Sequence, residues 1–264
     1  MAPMSRDFSR TGGAGLASTG KVPLAAVLVS LIVGWTAFPL QEQDREVPGL
    51  EAIFEDGPIL QDRNGDGHID FVDAHLILGE PPSDADVAAA ANVAARLGFE
   101  TSAMNLPLTK GGNGVPIVMG LAGLRRMQIS RGSIGADLEP GIGVVAWVDT
   151  DSNPALVVVG GDDAGTLAAA TTLGARAPHI WDPEGPTYGD VIESARGILA
   201  AEEINDVGAR LLRFIVNEAE PGLRRLDLEV LVAQGSLQQA AAALRQAAEQ
   251  PDAEPAPEDT TAIE

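Results

Sequence analysis

ALVVVGGDDAGTLAAATTLGARAPHIW, residues 155–181, is the stretch that decides the fold. An uncharged, valine-rich run leads into a turn of glycines and aspartates, and an alanine-rich run follows. β-Branched residues favour strands, and alanine has the highest helix propensity. The stretch therefore predicts a strand, a capped turn and a helix, which is the unit that layered α/β folds repeat.

The same order of strand, turn and helix occurs at two other places. The runs are AHLILG (74–79) before VAAAANVAARLGF (87–99), and LDLEVLV (226–232) before LQQAAAALRQAAEQ (237–250). Ser83 or Asp84 is the predicted N-cap of the first of these helices. Because small side chains let helices pack closely on a sheet, the repetition predicts an α/β fold. We expect an α+β layered sandwich with a mixed sheet and Ala-rich helices.

Other apolar runs predict the remaining strands. TSAMNLPL (101–108) and VPIVMG (115–120) are typical of strands. Two pairs of runs predict hairpins: 141–149 with 155–160, and 210–216 with 223–232. The Asn153-Pro154 dipeptide marks the turn of the first hairpin.

The composition excludes several classes of function. The formal net charge is −21, with 17 basic and 38 acidic residues, which opposes binding to nucleic acid. The chain has no cysteine, so disulfides, thiolate metal sites and cysteine nucleophiles are excluded. Hydrophobic residues make up 45% of the chain, which is enough to build a core.

A hydrophobic run stands near the N-terminus. Residues 22–38 carry no charge and would span about 26 Å as a helix, close to the thickness of a hydrocarbon core. Basic residues precede the run and acidic residues follow it. We therefore predict an N-terminal hydrophobic helix (22–40) that contacts the membrane through residues 22–38, after a cytoplasmic tail of residues 1–21.

This helix has two interpretations. It is an uncleaved signal anchor, or it is a signal peptide cleaved near Ala37, although Trp35 does not fit a clean cleavage site. Under both interpretations residues 41–264 lie outside the cytoplasm, in the periplasm or outside the cell of a bacterium. A buried helix of a soluble domain is the third possibility.

DRNGDGHID, residues 62–70, places oxygen-bearing side chains on alternate residues. Side chains spaced in this way converge on one point when the backbone wraps a cation, and Gly67 permits the sharp turn. Ile69 would plug into the core. The predicted Ca²⁺ ligands are Asp62, Asn64, Asp66, the backbone carbonyl of His68, Asp70 and Asp73.

The twelve residues 62–73 resemble the calcium loops of EF-hands and dockerins. The sequence departs from that pattern because Asp73 replaces the usual closing Glu, a change that dockerins share. No second loop is paired with it, and Gly57 and Pro58 oppose an entering helix. A calcium site that fastens the loop is the main interpretation, and an Asx-rich turn without metal is the alternative.

The sequence offers no convincing catalytic site. The glycines of LVVVGGDDAG do not fit a dinucleotide-binding fingerprint, and Asp162 and Asp163 would repel a phosphate. We predict an ordinary capped turn there. The three histidines, His68, His75 and His179, lack zinc spacing, and His179 is expected to be a packed or capping residue.

The order of elements over residues 74–181 resembles two settings. One is the non-catalytic α/β domain that precedes the barrel of several glycoside hydrolases. The other is the periplasmic part of the bacterial cellulose synthase regulatory subunit. Both resemblances imply an accessory or binding role rather than catalysis.

The sequence thus predicts a non-catalytic, calcium-stabilised envelope protein that binds a protein or a glycan. The alternatives are an accessory subunit of a larger membrane complex, and a fragment or subunit of a carbohydrate-active hydrolase. The predicted division is a linker (41–57), an α/β domain containing the calcium loop (58–185), a smaller α/β unit (186–250) and a disordered acidic tail (251–264).

Overall fold

The computed structural model describes residues 28–32, 49–102, 114–150, 154–180, 184–218, 220–233 and 235–249. The strands are β1 (Leu28–Ile32), β2 (Leu60–Gln61), β3 (Phe71–Val72), β4 (Ala74–Ile77), β5 (Val115–Met119), β6 (Ile142–Val148), β7 (Ala155–Gly160), β8 (Val207–Asn217) and β9 (Glu220–Val232). The helices are α1 (Asp84–Phe99), α2 (Gly120–Arg126), α3 (Asp163–Ala175), α4 (Tyr188–Ala201) and α5 (Leu237–Glu249). Most of the predicted strand 101–108 and the whole predicted tail 251–264 lie outside the described residues.

One seven-stranded sheet has the order β1-β9-β8-β6-β7-β5-β4. Strands β4, β5 and β7 run parallel, whereas β6–β7 and β8–β9 are antiparallel hairpins. The mixed sheet confirms the predicted α/β fold, and both predicted hairpins are confirmed. Because β8 pairs directly with β6, the two predicted units 58–185 and 186–250 contribute to the same sheet.

The sheet separates two layers of core. Every residue of the central strands β5, β6 and β7 is buried, as expected for strands covered on both faces. On one face Ile117, Val145 and Val158 pack with the helices α1, α3 and α4. On the other face Val144 and Val157 pack with α2 and with the 3-10 turn Arg131–Ile134.

Helices α1 and α3 lie side by side on the first face. Ser83 caps α1 in a reciprocal capping box with Asp86, which confirms the predicted cap. The side-chain amide of Asn92 donates to the hydroxyl of Thr171 over 3.2 Å. Two of the three strand–turn–helix units that look alike in the sequence, those at 74–99 and 155–181, are therefore neighbours in the fold.

The N-terminal part of the chain differs from the prediction. Residues 28–32 form strand β1, parallel to β9, instead of part of the predicted helix, and the rest of 22–38 lies outside the described residues. Leucine, valine and isoleucine suit a strand as well as a helix, and the edge of β9 offers backbone partners. Among the described residues, no helix is both long and apolar enough to cross a membrane.

The predicted linker 41–57 is also wrong for its second half. Residues 49–57 are part of the folded domain, where Leu50 and Ile53 are buried in the main core. The carboxylate of Glu51 accepts a 2.8 Å hydrogen bond from the backbone N–H of Leu211 in β8. Contacts this far apart in the chain leave no local signal, so the segment looked like a polar spacer.

Candidate metal centre

The predicted calcium loop connects the two strands of a short antiparallel ribbon. Leu60 pairs with Val72 and Gln61 with Phe71, and residues 62–70 form the loop between them. Leu60 and Val72 are buried, so the base of the ribbon is anchored in the core. The loop is thus entered from a strand, which agrees with the prediction that no entering helix precedes it.

Asp62 organises the first half of the loop. Its Oδ1 accepts a 2.7 Å hydrogen bond from the N–H of Gly65, and its Oδ2 accepts one of 2.7 Å from the N–H of Gly67. The hydrogen bond from Gly67 is the largest cause that lowers the pKa of Asp62, so the group is a carboxylate at neutral pH. Gly67 has a φ of 84°, which confirms that the turn needs a glycine there.

The alternate residues that follow repeat this arrangement. Oδ1 of Asn64 accepts from the N–H of Asp66, and Oδ1 of Asp66 accepts from the N–H of His68, both over 2.9 Å. Oδ1 of Asp70 reaches back across the loop to the N–H of Arg63 at 3.0 Å. The predicted ligands Asp62, Asn64, Asp66 and Asp70 are therefore held in one compact, exposed loop.

Asp73 lies apart from that loop. Its Oδ2 accepts a 3.4 Å hydrogen bond from the side chain of Gln61, and its backbone carbonyl accepts a 2.8 Å bond from the N–H of Val115 in β5. In the part of the chain that the structure describes, no three acidic or histidine side chains converge as a metal site requires. Asp73 would have to turn towards the loop to close a calcium shell.

The donor atoms of this loop fit calcium chemically. Carboxylate, amide and carbonyl oxygens are the ligands that Ca²⁺ prefers, and it accepts six to eight of them in flexible geometry. Asp62, Asp66 and Asp70 bring negative charge to nine consecutive residues, 62–70. Their mutual repulsion would be relieved by a bound cation. Calcium would neutralise the loop and hold it in one conformation.

Ile69 connects the loop to the rest of the domain. Its side chain packs against the main core, as predicted for the apolar plug. Its carbonyl accepts hydrogen bonds from Thr101 Oγ1 at 3.1 Å, Ser102 N at 2.9 Å and Ser102 Oγ at 3.1 Å. Thr101 and Ser102 follow α1, so a change in the conformation of the loop would alter contacts at the C-terminal end of that helix. Thr101 and Ser102 belong to the predicted strand 101–108, and no local signal in the sequence indicates this contact.

The other residues that drew attention in the sequence have structural roles. Asp162 is the N-cap of α3 and accepts hydrogen bonds from Gly165 and Gly141, which confirms the predicted capped turn. These bonds, led by that from Gly165, lower the pKa of Asp162. His179 Nδ1 lies 2.8 Å from the carbonyl oxygen of Gly185 and so fastens the loop before α4.

In comparisons with known proteins, no protein-family model, curated protein or solved structure matches the chain.

Proposed function

We propose that this chain is a non-catalytic bacterial envelope protein that binds a protein or glycan partner and whose fold is fastened by Ca²⁺ at residues 62–73. The observation that carries the proposal is the loop held by Asp62. Its oxygen-bearing residues alternate, its glycine adopts the left-handed conformation and its ends are fixed in the core. A calcium ion whose coordination positions are all filled by protein oxygens stabilises a fold rather than performing a reaction.

An exposed aromatic ring near the loop supports a binding role. Phe99, the last residue of α1, is 82% exposed. Thr101 and Ser102, which follow it, donate hydrogen bonds to Ile69 of the loop. Exposed aromatic side chains are common anchors of interfaces. Calcium at the loop would thus fix the end of α1 and present the ring of Phe99 to a partner.

The location outside the cytoplasm is supported by the charge pattern. A run without charge, residues 22–38, has a basic flank before it and an acidic chain after it. Extracellular calcium is abundant enough for a loop with a dissociation constant of about 10⁻⁴ to 10⁻³ M. Residues 28–32 cannot pair with β9 and lie in the membrane at the same time. A membrane anchor therefore requires β1 to separate from β9.

The function is tested by partner capture from native membranes at about 1 mM Ca²⁺. The full chain should retain a stoichiometric partner that chelator releases. Asp62→Asn and Phe99→Ala should each lose it, whereas Asp206→Ala, an exposed carboxylate outside the loop, should keep it. Retention by Asp62→Asn in the presence of chelator would contradict a calcium-dependent binding role.

The location is tested by protease treatment of intact spheroplasts, which should digest residues 41–264. Because the chain has no cysteine, a single engineered pair reports the position of residues 28–32. Ile32 and Glu229 are register partners, so Ile32→Cys with Glu229→Cys forms a disulfide if β1 is in place. If residues 22–38 are inserted in the membrane as an anchor, this disulfide should not form in native membranes. The control pair Ile32→Cys with Glu193→Cys should also form no disulfide. A disulfide in the pair Ile32→Cys with Glu229→Cys, or protection from protease, would overturn the envelope assignment.

A further inference from the structure

A groove of about 310 Å³ lies between helix α3 and the end of strand β8. Leu167 and Ala168 of the helix and Val216 of the strand give it an apolar wall and floor. Thr171 and Thr172 add hydroxyl groups along the same helix. This volume is at the lower end of the range for small-molecule sites, about 300–1,000 Å³.

Arg176 lines one end of the groove. It is half-buried, and its guanidinium makes no hydrogen bond or ion pair with any residue that the structure describes. The arginines of the β8–β9 hairpin differ, since Arg213 and Arg225 both pair with Asp227. In a chain with 38 acidic residues against 17 basic ones, an unpaired guanidinium inside a groove indicates a site for an anion.

The charges at the groove favour a ligand with one negative charge. Arg176 follows the C-terminal end of α3, where the helix dipole is negative. The groove is lined by one cationic side chain, Arg176, and one acidic side chain, Glu218. A dianion such as a phosphate would meet the negative end of the helix with one guanidinium to balance it, whereas a monoanion is balanced by that guanidinium.

We propose that this groove binds a small aliphatic monocarboxylate. Arg176 holds the carboxylate through its planar fork. Leu167, Ala168 and Val216 contact the aliphatic body. The site is separate from the calcium loop, so it stands or falls independently of the function proposed above.

The test is a calorimetric titration of the full chain with hexanoate, with 1-hexanol and hexylamine as probes of the same length. Hexanoate should bind saturably, and the other two should bind at least about tenfold more weakly. Arg176→Gln should weaken hexanoate binding by about tenfold or more. Arg131→Gln, the same charge change at an exposed residue below the other face of the sheet, should leave it unchanged.

Ala168→Leu provides a second variant, because a larger side chain would fill the groove without touching the guanidinium. It should abolish hexanoate binding while melting within a few degrees of the parent chain. Absence of saturable hexanoate binding, equal binding of 1-hexanol, or an unchanged affinity in Arg176→Gln would each overturn the proposal. If Arg176→Gln unfolds, the loss in Ala168→Leu and the discrimination against 1-hexanol decide it.

Discussion

Oδ2 of Asp62 accepts a 2.7 Å hydrogen bond from the N–H of Gly67, five residues later in the chain. The bond closes the turn of the loop, and it requires Gly67 to hold a φ of 84°. A residue with a Cβ meets a steric penalty in that conformation. The contact thus shows why both an acceptor at the first position and a glycine at the sixth are needed.

Gly67→Ala should therefore lower the free energy of unfolding by about 1–2 kcal/mol. The matched control is Gly197→Ala in α4, where an added Cβ has nothing within 4 Å. It should stabilise the chain by about 0.5–1 kcal/mol, because alanine is the better helix former. Urea unfolding measures both changes. Similar effects of the two variants would show that the left-handed turn does not constrain the loop.

A buried ionic cluster joins the last two strands. Asp227 is fully buried, and its carboxylate lies 2.5 Å from Nε of both Arg213 and Arg225. Asp227→Asn would leave two guanidinium groups without their counter-charge and should cost about 3 kcal/mol. Glu229→Gln, which breaks the partly exposed pair with Arg210, should cost less than about 1 kcal/mol. An equal loss of unfolding free energy in the two variants, measured in urea, would show that burial does not increase the contribution of the cluster to stability.

Glu51 gives the stability a defined pH dependence. Burial is the main cause that raises the pKa of Glu51, against the hydrogen bond from Leu211 and the charges of Arg196 and Arg210. A raised pKa in the folded state favours folding below the unfolded pKa, and that contribution is lost as pH rises through the folded value. Glu51→Gln should remove this loss, which sets in as pH rises above the ordinary glutamate pKa of about 4.3. The exposed control Glu55→Gln should follow the parent chain, and an unchanged slope in Glu51→Gln would contradict the assignment.

Asp162 tests whether the Gly/Asp turn is structural. Asp162→Ala removes the cap of α3 and should cost about 1 kcal/mol. Asp163→Ala, at the exposed first residue of the helix, should change stability by less than about 0.5 kcal/mol. Millimolar ATP should leave the melting temperature of the parent chain unchanged. A clear upward shift with ATP would revive the nucleotide interpretation that we set aside.

Local signals account for what the sequence predicted correctly. The two hairpins have apolar strands that are close in the chain, and α1, α3 and α5 are rich in alanine. Helix α4 was missed because Gly189, Gly197 and β-branched residues weaken its propensity. The reciprocal box between Thr187 and Asp190, a threonine followed three residues later by an acid, was the signal that could have found it.

Contacts between distant residues account for what was missed. The pairing of β8 with β6, the insertion of β7 between β6 and β5, and the packing of Leu50 depend on the whole fold. The partners of Asp227 depend on a register shift between Leu211 and Arg213 in β8. For the candidate site, the loop and its glycine could be read from spacing. The hydrogen bonds from Ser102 to Ile69 could not be predicted from spacing, and neither could the groove at Arg176.

Two variants test which residues of the loop are calcium ligands. Asp62→Asn keeps one of the two oxygens that accept from Gly65 and Gly67, but it loses the charge and turns an NH2 group towards the other N–H, so the turn should loosen and calcium binding should be lost. Asp70→Ala should weaken binding less, because the ninth position of such loops often acts through water. A larger loss in Asp70→Ala than in Asp62→Asn, measured by calcium titration, would contradict the assignment of positions.

The most direct test is calorimetric titration of the purified full chain with calcium, combined with melting in calcium and in chelator. We expect one site with a dissociation constant of about 10⁻⁴ to 10⁻³ M. At a calcium concentration 100 times that constant, the fold should gain about 2.7 kcal/mol, and Asp62→Asn should gain none. No heat of binding at millimolar calcium, together with a melting temperature that ignores chelator, would contradict the account and leave residues 62–73 as a hydrogen-bonded turn.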